Sequence, residues 1–534
     1  MISYWIASSM ERVFKRSRPR TNRYLRLDLG RRDKASFQVC VRNSTEESLA
    51  VNVVVNSDVF DVGVRRVGYV PCAHISTGHR DDDIDALGYV PGFIPDPLFF
   101  EVETTLARNE TESFWISLKS PEDCPLGLHR ISVILQVSND ASYTVEADVF
   151  VHPVTLEKRR DFPVTHWCCT DALCDWYGVE PFDDSFWRIV RPYITDLVEH
   201  GTNVCHTPLF TPPTDGVKRP TQLLRVRRST DGSYEFDWRD VKRWVDLAKN
   251  CGMEYLEWTH LFSQWGANYG IRIYENYDGQ YEERLLWPED TQADSQVYTE
   301  FLAEFLPRFK GFLDAEGLMN RSYFHLSDEP QLEHLSNYKR AREILRVLAP
   351  WMKVMDALSQ PDFTELGLTD IPVASISTSK DFYEKGIPRW DYFCCQPRGR
   401  FLNRFVDTPL AKIRGAGWLF YRFESLGFLH WGYNYWYKHG TTELIDPYRV
   451  FDGELWPILP NGDPFVVYPG ANGPVGSLRW EVFAESLNDY TLLQTLRLRS
   501  DDSSLSFFKA YDDYPQDRSW YELTRAALLF GKGE

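Results

Sequence analysis

Two adjacent carboxylates, Asp328 and Glu329, close the run FHLSDEP at 324–330. Neighbouring carboxylates suit glycosidic bond cleavage. That reaction needs a group with a raised pKa to protonate the leaving oxygen and a second group to stabilise positive charge at the anomeric carbon. Like charges held close push one pKa up, which supplies the asymmetry. Adjacent residues do not, however, flank a scissile bond from both sides as an acid and a nucleophile on separate strands do. A substrate-assisted route removes that difficulty: a 2-acetamido group on the sugar is then the nucleophile, and the protein carboxylate orients and polarises it.

A plainer reading makes Asp-Glu-Pro a helix start, with Asp328 near the N-cap of a helix from about 332 and Glu329 in its first turn. On the dipeptide alone this reading is favoured. As a strand, the run places His325, Ser327 and Glu329 on one face and Asp328 on the other. Both acids reach one ligand only if the chain bulges or turns there. Pro330 is expected to end the strand and to hold Glu329 extended.

Side chains at other strand ends tilt the balance toward a sugar site. Trp258, Trp265, Trp431, Tyr433 and Trp436 offer flat stacking faces, and His206, His260, Gln396 and Asn434 offer hydroxyl-binding groups. About half of these aromatics are expected to be structural. No HExxH, GxSxG, P-loop or GxGxxG pattern occurs. The cluster His166, Cys168, Cys169 and Cys174 lacks the CxxC pairing of zinc sites, so no metal and no cofactor are expected.

The elements that must position these residues follow from pattern. Segments such as YLRLDL, SFQVCVRN, AVNVVV, FEVETTL, SFWISLK and RISVILQV read as short strands of a sandwich, ending near the connector VHPVTLEKRRDFPV. Strands then alternate with amphipathic helices. Eight strand candidates lie at 163–171, 202–210, 254–262, 321–330, 353–361, 372–380, 390–397 and 427–436. That count matches a (β/α)8 barrel, with a doubly wound sheet as the alternative. The link 381–389 is short for a full helix, and a hairpin turned at Asp231-Gly232 interrupts the second unit.

The expected fold class is therefore multidomain α/β and β: a β-sandwich over 1–158, a TIM-like (β/α)8 barrel over 159–440, and a loop-rich and helical C-terminal extension over 441–534. Within 534 residues, 43% apolar and 25% charged, such cores are easily built. A net charge of −18 argues against nucleic-acid, anionic-membrane and polyanionic partners. No apolar run is long enough for a transmembrane helix. Ten scattered cysteines and a start without a signal-peptide core point to a cytoplasmic protein. A homo-oligomer is left open.

Five blocks carry a family likeness: FHLSDEP at 324–330, WTHLFSQWGA at 258–267, YFCCQPRGRFLNRF at 392–405, GFLHWGYNYW at 427–436 and YPGANGPVGSLRWE at 468–481. In their order and spacing the chain resembles glycoside hydrolase family 123 and its uncharacterised relatives, over about 155 to 500. The resemblance implies an exo-acting retaining β-N-acetylgalactosaminidase using substrate-assisted catalysis without a metal, on a small or oligosaccharide substrate ending in an N-acetylated amino sugar. Asp328 would steady the acetamido nitrogen, and Glu329 would be the acid and then the base. PVASISTSK lacks the tyrosine expected near the sixth strand, which leaves Tyr392 and Tyr433 as candidates for the acetamido pocket. Two readings compete: a glycosidase for another sugar such as β-GlcNAc with Glu329 as acid and base, and a non-catalytic carbohydrate-binding protein.

Overall fold

The computed structural model describes residues 1–77, 89–138, 141–211, 221–275 and 284–531. Ten strands fill the first 155 residues: β1 (Ile2–Ser8), β2 (Tyr24–Arg31), β3 (Lys34–Asn43), β4 (Leu49–Val55), β5 (Asp61–Cys72), β6 (Gly92–Phe99), β7 (Glu103–Leu106), β8 (Thr111–Lys119), β9 (Gly127–Val137) and β10 (Ala141–Thr155). They form two sheets, one containing β1-β3-β8-β5-β6 and the other ordered β2-β10-β9-β4-β7. Alternate residues of each, such as Phe37, Val39 and Val41 on β3 and Ile131, Val133 and Leu135 on β9, share one apolar core. Period-two patterning thus places a sandwich where the sequence suggested it. The segment VHPVTLE is not all connector, because β10 runs through its first five residues.

The barrel strands follow. They are β11 (Val164–His166), β12 (Val204–Thr207), β15 (Tyr255–Trp258), β16 (Ser322–His325), β17 (Val354–Leu358), β18 (Ile371–Ser375), β19 (Trp390–Tyr392) and β20 (Phe428–His430). Seven lie inside their candidate segments, and β18 begins one residue ahead of 372–380. All neighbours are parallel, and β20 pairs back onto β11 through Val164 and Phe428, so the sheet is closed rather than doubly wound. The hairpin of β13 (Arg225–Arg228) and β14 (Tyr234–Asp237) turns through Gly232, whose φ of +91° is cheap without a Cβ. The helix after β18 is only Ser379–Glu384, as the short link required.

Alternation along the barrel strands decides what the site can use. Leu256 and Phe324 face outward into the core shared with the helices, where the row Phe301, Phe305 and Phe309 of the helix Gln296–Ala315 packs. Glu257 and His325, one residue further along each strand, face the barrel interior, where they meet each other. The C-terminal part binds barrel and sandwich together. Strands β21 (Tyr468–Pro469) and β22 (Pro474–Ser477) extend the first sandwich sheet beyond β6. The helix Leu478–Thr495 is buried on nearly every side, and its Arg479 forms a fully buried ion pair with Asp96 of β6 at 2.9 Å.

Candidate active site

Strand β16 ends at His325, and the chain from Leu326 to Pro330 is bent rather than extended. Its backbone is held from both sides. Phe262 N–H donates to the Leu326 carbonyl and Trp265 N–H to the Asp328 carbonyl, both at 2.9 Å. From the other side, Asp356 Oδ1 accepts Leu326 N–H at 3.0 Å and Ser327 N–H at 3.2 Å. The Ser327 hydroxyl donates to the Ser263 carbonyl at 2.7 Å.

Held this way, Glu329 adopts a φ of +44°. The expectation that Pro330 keeps Glu329 extended is overturned, since that φ lies in the left-handed region. Such backbone is disfavoured for a long side chain and costs about 1–3 kcal/mol, which the surrounding hydrogen bonds must outweigh. The turn relieves the face problem of a regular strand. Asp328 accepts Gln264 Nε2–H at 3.0 Å, and Glu329 Oε1 accepts the Tyr392 hydroxyl at 2.8 Å, so the two acids have different partners.

The helix-start reading fails on the same stretch. The 3-10 turn Leu332–His334 starts where a helix was expected and leads into the helix Leu335–Leu348, but Gln331 supplies the cap: its side chain accepts His334 N–H while its own N–H donates to His334 Nδ1 at 3.0 Å. Asp328, only 6% exposed, caps nothing. Burial, and then the neighbouring Glu329, push its carboxyl well above the usual carboxylate range. Burial and then Glu329 also raise the Tyr392 phenol, which keeps it a hydrogen-bond donor.

Beneath the acids lies a buried charged chain. His325 Nε2 is 2.7 Å from Glu257 Oε1, and Nδ1 is 3.4 Å from Asp356 Oδ1. Glu257 also accepts Trp167 Nε1–H at 2.8 Å and the Thr165 hydroxyl, while Asp356 accepts the Tyr338 hydroxyl. Burial works against a charged His325, but Asp356 and Glu257 overcome it and hold the ring at about 10. Burial would raise Glu257, yet His325 brings it below its ordinary value.

His206 stacks on Trp167 at 5.2 Å and His260 on His325 at 4.3 Å. Burial depresses both imidazoles, His206 to about 4. Neither ring nitrogen of either residue meets a hydrogen-bond partner among the described residues. Trp431 packs against the cluster of Trp167 and Tyr392 and donates to Asp463 at 3.0 Å. Trp265 is 58% exposed beside Asp328. Gln396 is exposed in the loop after β19, its backbone carbonyl accepting Cys394 N–H at 3.1 Å.

The structure does not bring the remaining candidates to this place. Trp258 faces outward, packs edge-on against Phe309 at 4.9 Å and donates to the Ser322 hydroxyl. Tyr433 is fully buried with its hydroxyl on Asp196 of the helix Asp184–Glu199. Trp436 donates to the Val467 carbonyl at 3.1 Å. Asn434 clamps both backbone groups of Cys169. Of the His166 cluster, His166 itself contacts Thr202 and Arg404 rather than the cysteines. Among the described residues no group of three His, Cys, Asp or Glu side chains could hold a metal ion.

Sequence reasoning missed Trp167, Glu257, Gln264 and Asp356. Alternation along β15 and β16 could have placed Glu257 opposite His325, and Gln264 lies in a block already singled out. Asp356 carried no local signal, because its role is to receive amides from another strand.

Residues 167–496 match the family model for the glycoside hydrolase 123 catalytic domain. A solved family 123 glycoside hydrolase from Clostridium perfringens, studied for glycolipid glycan hydrolysis, is 15% identical, with a TM-score of 0.76 over 99% of this chain and 98% of that one. A Bacteroides ovatus GH5 xyloglucanase gives a TM-score of 0.32 at 9% identity, over 91% of this chain and all of that one. A Thermobacillus composti GH10 xylanase gives 0.33 at 11%, over 61% and 97%. No curated protein matches the chain.

Proposed function

Because the chain belongs to glycoside hydrolase family 123, we propose that it is an exo-acting retaining β-N-acetylgalactosaminidase working by substrate-assisted catalysis. Asp328 accepts the acetamido N–H and aims the carbonyl oxygen at C1. Glu329 gives its proton to the leaving oxygen as the C1 bond breaks, and the acetamido oxygen closes an oxazolinium ring. Glu329 then takes a proton from the water that opens this ring at C1. Two inversions give retention.

The observation that carries this reading is the left-handed turn at Glu329, around which the two adjacent carboxylates have different partners, Gln264 for Asp328 and Tyr392 for Glu329. The other carboxylates of the described floor, Glu257 and Asp356, are taken up by Thr165, Trp167, His325, Tyr338 and two backbone amides. Neither of these two is therefore free to act as an opposing protein nucleophile, and a nucleophile brought by the substrate fills that role. Tyr392 is the candidate for the acetamido pocket, His206 and His260 for the ring hydroxyls, and Trp265 and Trp431 for stacking. GalNAc over GlcNAc rests on the family likeness and on the glycolipid glycans of the Clostridium relative. A cytoplasmic location belongs to the same proposal and rests on the thiol-rich sequence.

Release of nitrophenol from aryl β-GalNAc, β-GlcNAc and β-galactoside tests it. Turnover of the 2-acetamido sugars with GalNAc preferred is expected. Turnover of the galactoside with no turnover of either 2-acetamido sugar overturns the mechanism.

A further inference from the structure

Asp463 is a buried carboxylate, 1% exposed, and its side chain makes one hydrogen bond among the described residues: Oδ2 accepts the Trp431 indole N–H at 3.0 Å. Its Oδ1 meets no hydrogen-bond partner among them and faces His430 Nε2 at 3.7 Å, too far for one. No Lys or Arg forms an ion pair with Asp463 among the described residues, so its burial is costly. Burial lifts the carboxyl to about 7, while the Trp431 N–H draws it down. Such a group calls for an explanation, and the side chain it holds is Trp431.

The backbone around Trp431 is fixed as well. Strand β20 ends at His430. Gly432 N–H then donates to His430 Nδ1 at 2.9 Å, and the Gly432 carbonyl accepts Arg404 Nη2–H at 3.2 Å. Tyr435 N–H donates to the Pro464 carbonyl at 3.1 Å. A Cβ on Gly432 would stand 2.1 Å from the Asp463 carbonyl oxygen, so glycine is what lets the chain at 463–464 lie against this turn.

These contacts set where Trp431 leaves the chain, but they leave its side-chain torsions to be chosen. The bond to Asp463 chooses them by anchoring the indole at its polar edge. The half-buried ring packs against the cluster of Trp167 and Tyr392, whose polar atoms bond Glu257 and Glu329. We propose that Asp463 is a positioning residue that, through the indole N–H, sets the plane of Trp431 as a stacking wall for the sugar. The inference rests on the reading in which Trp431 stacks on the substrate.

Steady-state kinetics of the full enzyme on its preferred aryl 2-acetamido glycoside test it. Asp463→Leu should raise KM about tenfold with little change in kcat, as for binding shared by ground and transition states. Asp463→Asn, whose amide oxygen accepts the same N–H, should stay within about threefold of wild type. In a Trp431→Phe background, which has no N–H, Asp463→Leu should add nothing. An equal cost in both backgrounds, or an asparagine variant as impaired as the leucine one, overturns the proposal. If Asp463→Leu does not fold, hydrogen exchange of the Trp431 indole N–H decides, its signal identified by its loss in Trp431→Phe: slow exchange in wild type is expected, and exchange as fast as that of an exposed indole overturns it. Trp431→Ala separates failure of the parent reading. If KM is unmoved in that variant, the stacking assignment is wrong and the inference falls with it, whereas a raised KM with an inert Asp463→Leu sinks the inference alone.

Discussion

At the residue scale, Asp328 and Glu329 are equal in chemistry and unequal in surroundings. Glu329→Gln should cut kcat/KM by about 10²–10⁴-fold on glycosides with basic leaving groups and far less on those with acidic ones, read as a steepened dependence on leaving-group pKa. Equal losses on both would count against an acid. Asp328→Asn should lose activity by orders of magnitude yet gain stability at neutral pH. The sign follows from linkage: the folded-state pKa lies above the unfolded value of about 3.9, so burying the carboxylate costs stability at pH above the folded value, and the cost vanishes as pH falls to the unfolded one. Melting temperatures of the two proteins should therefore converge in acid. If the variant melted lower than wild type at neutral pH, the buried carboxylate would be a structural partner instead.

At the element scale, strand identity was legible and strand ends were not. All eight barrel strands fall on segments chosen by apolar runs and turn residues, seven wholly inside and β18 one residue early, because those signals report burial directly. The period-two rule then fails where each strand stops. Strand β20 ends at His430, so Tyr433, Asn434 and Trp436 continue along an irregular path into the packing beside the helix Asp184–Glu199 rather than into the mouth. On β15 the rule still holds at Trp258 and correctly turns it outward, whereas His260, two residues beyond the strand end, folds back over His325. The left-handed Glu329 depends on amides held by Asp356 from another strand, a tertiary constraint with no trace in local sequence. Helix packing is equally exacting at Gly417, where an added Cβ would stand 1.9 Å from the Ser486 carbonyl oxygen. Gly417→Ala should cost about 3 kcal/mol in a denaturant titration as the helices Ala416–Arg422 and Leu478–Thr495 are forced apart. A loss within error would mean the contact relaxes freely.

At the scale of the whole molecule, the sandwich and the barrel share structure. Residues 468–477 complete the first sandwich sheet, and Asp96 pairs with Arg479 where neither is exposed to solvent. Asp96→Ala leaves a buried guanidinium without its carboxylate and should cost about 3–5 kcal/mol in global unfolding; a change under 1 kcal/mol would show that Arg479 finds other acceptors. This frame fixes β6 against the C-terminal helix and leaves the barrel mouth to the chemistry. The central claim is that the substrate supplies the nucleophile, and it is tested most directly by aryl β-GalNAc substrates whose acetyl group carries zero to three fluorines. Each fluorine weakens the carbonyl oxygen as a nucleophile while leaving the aglycone untouched. A steep, monotonic fall in kcat/KM along the series is predicted, and rates independent of fluorination would contradict the account.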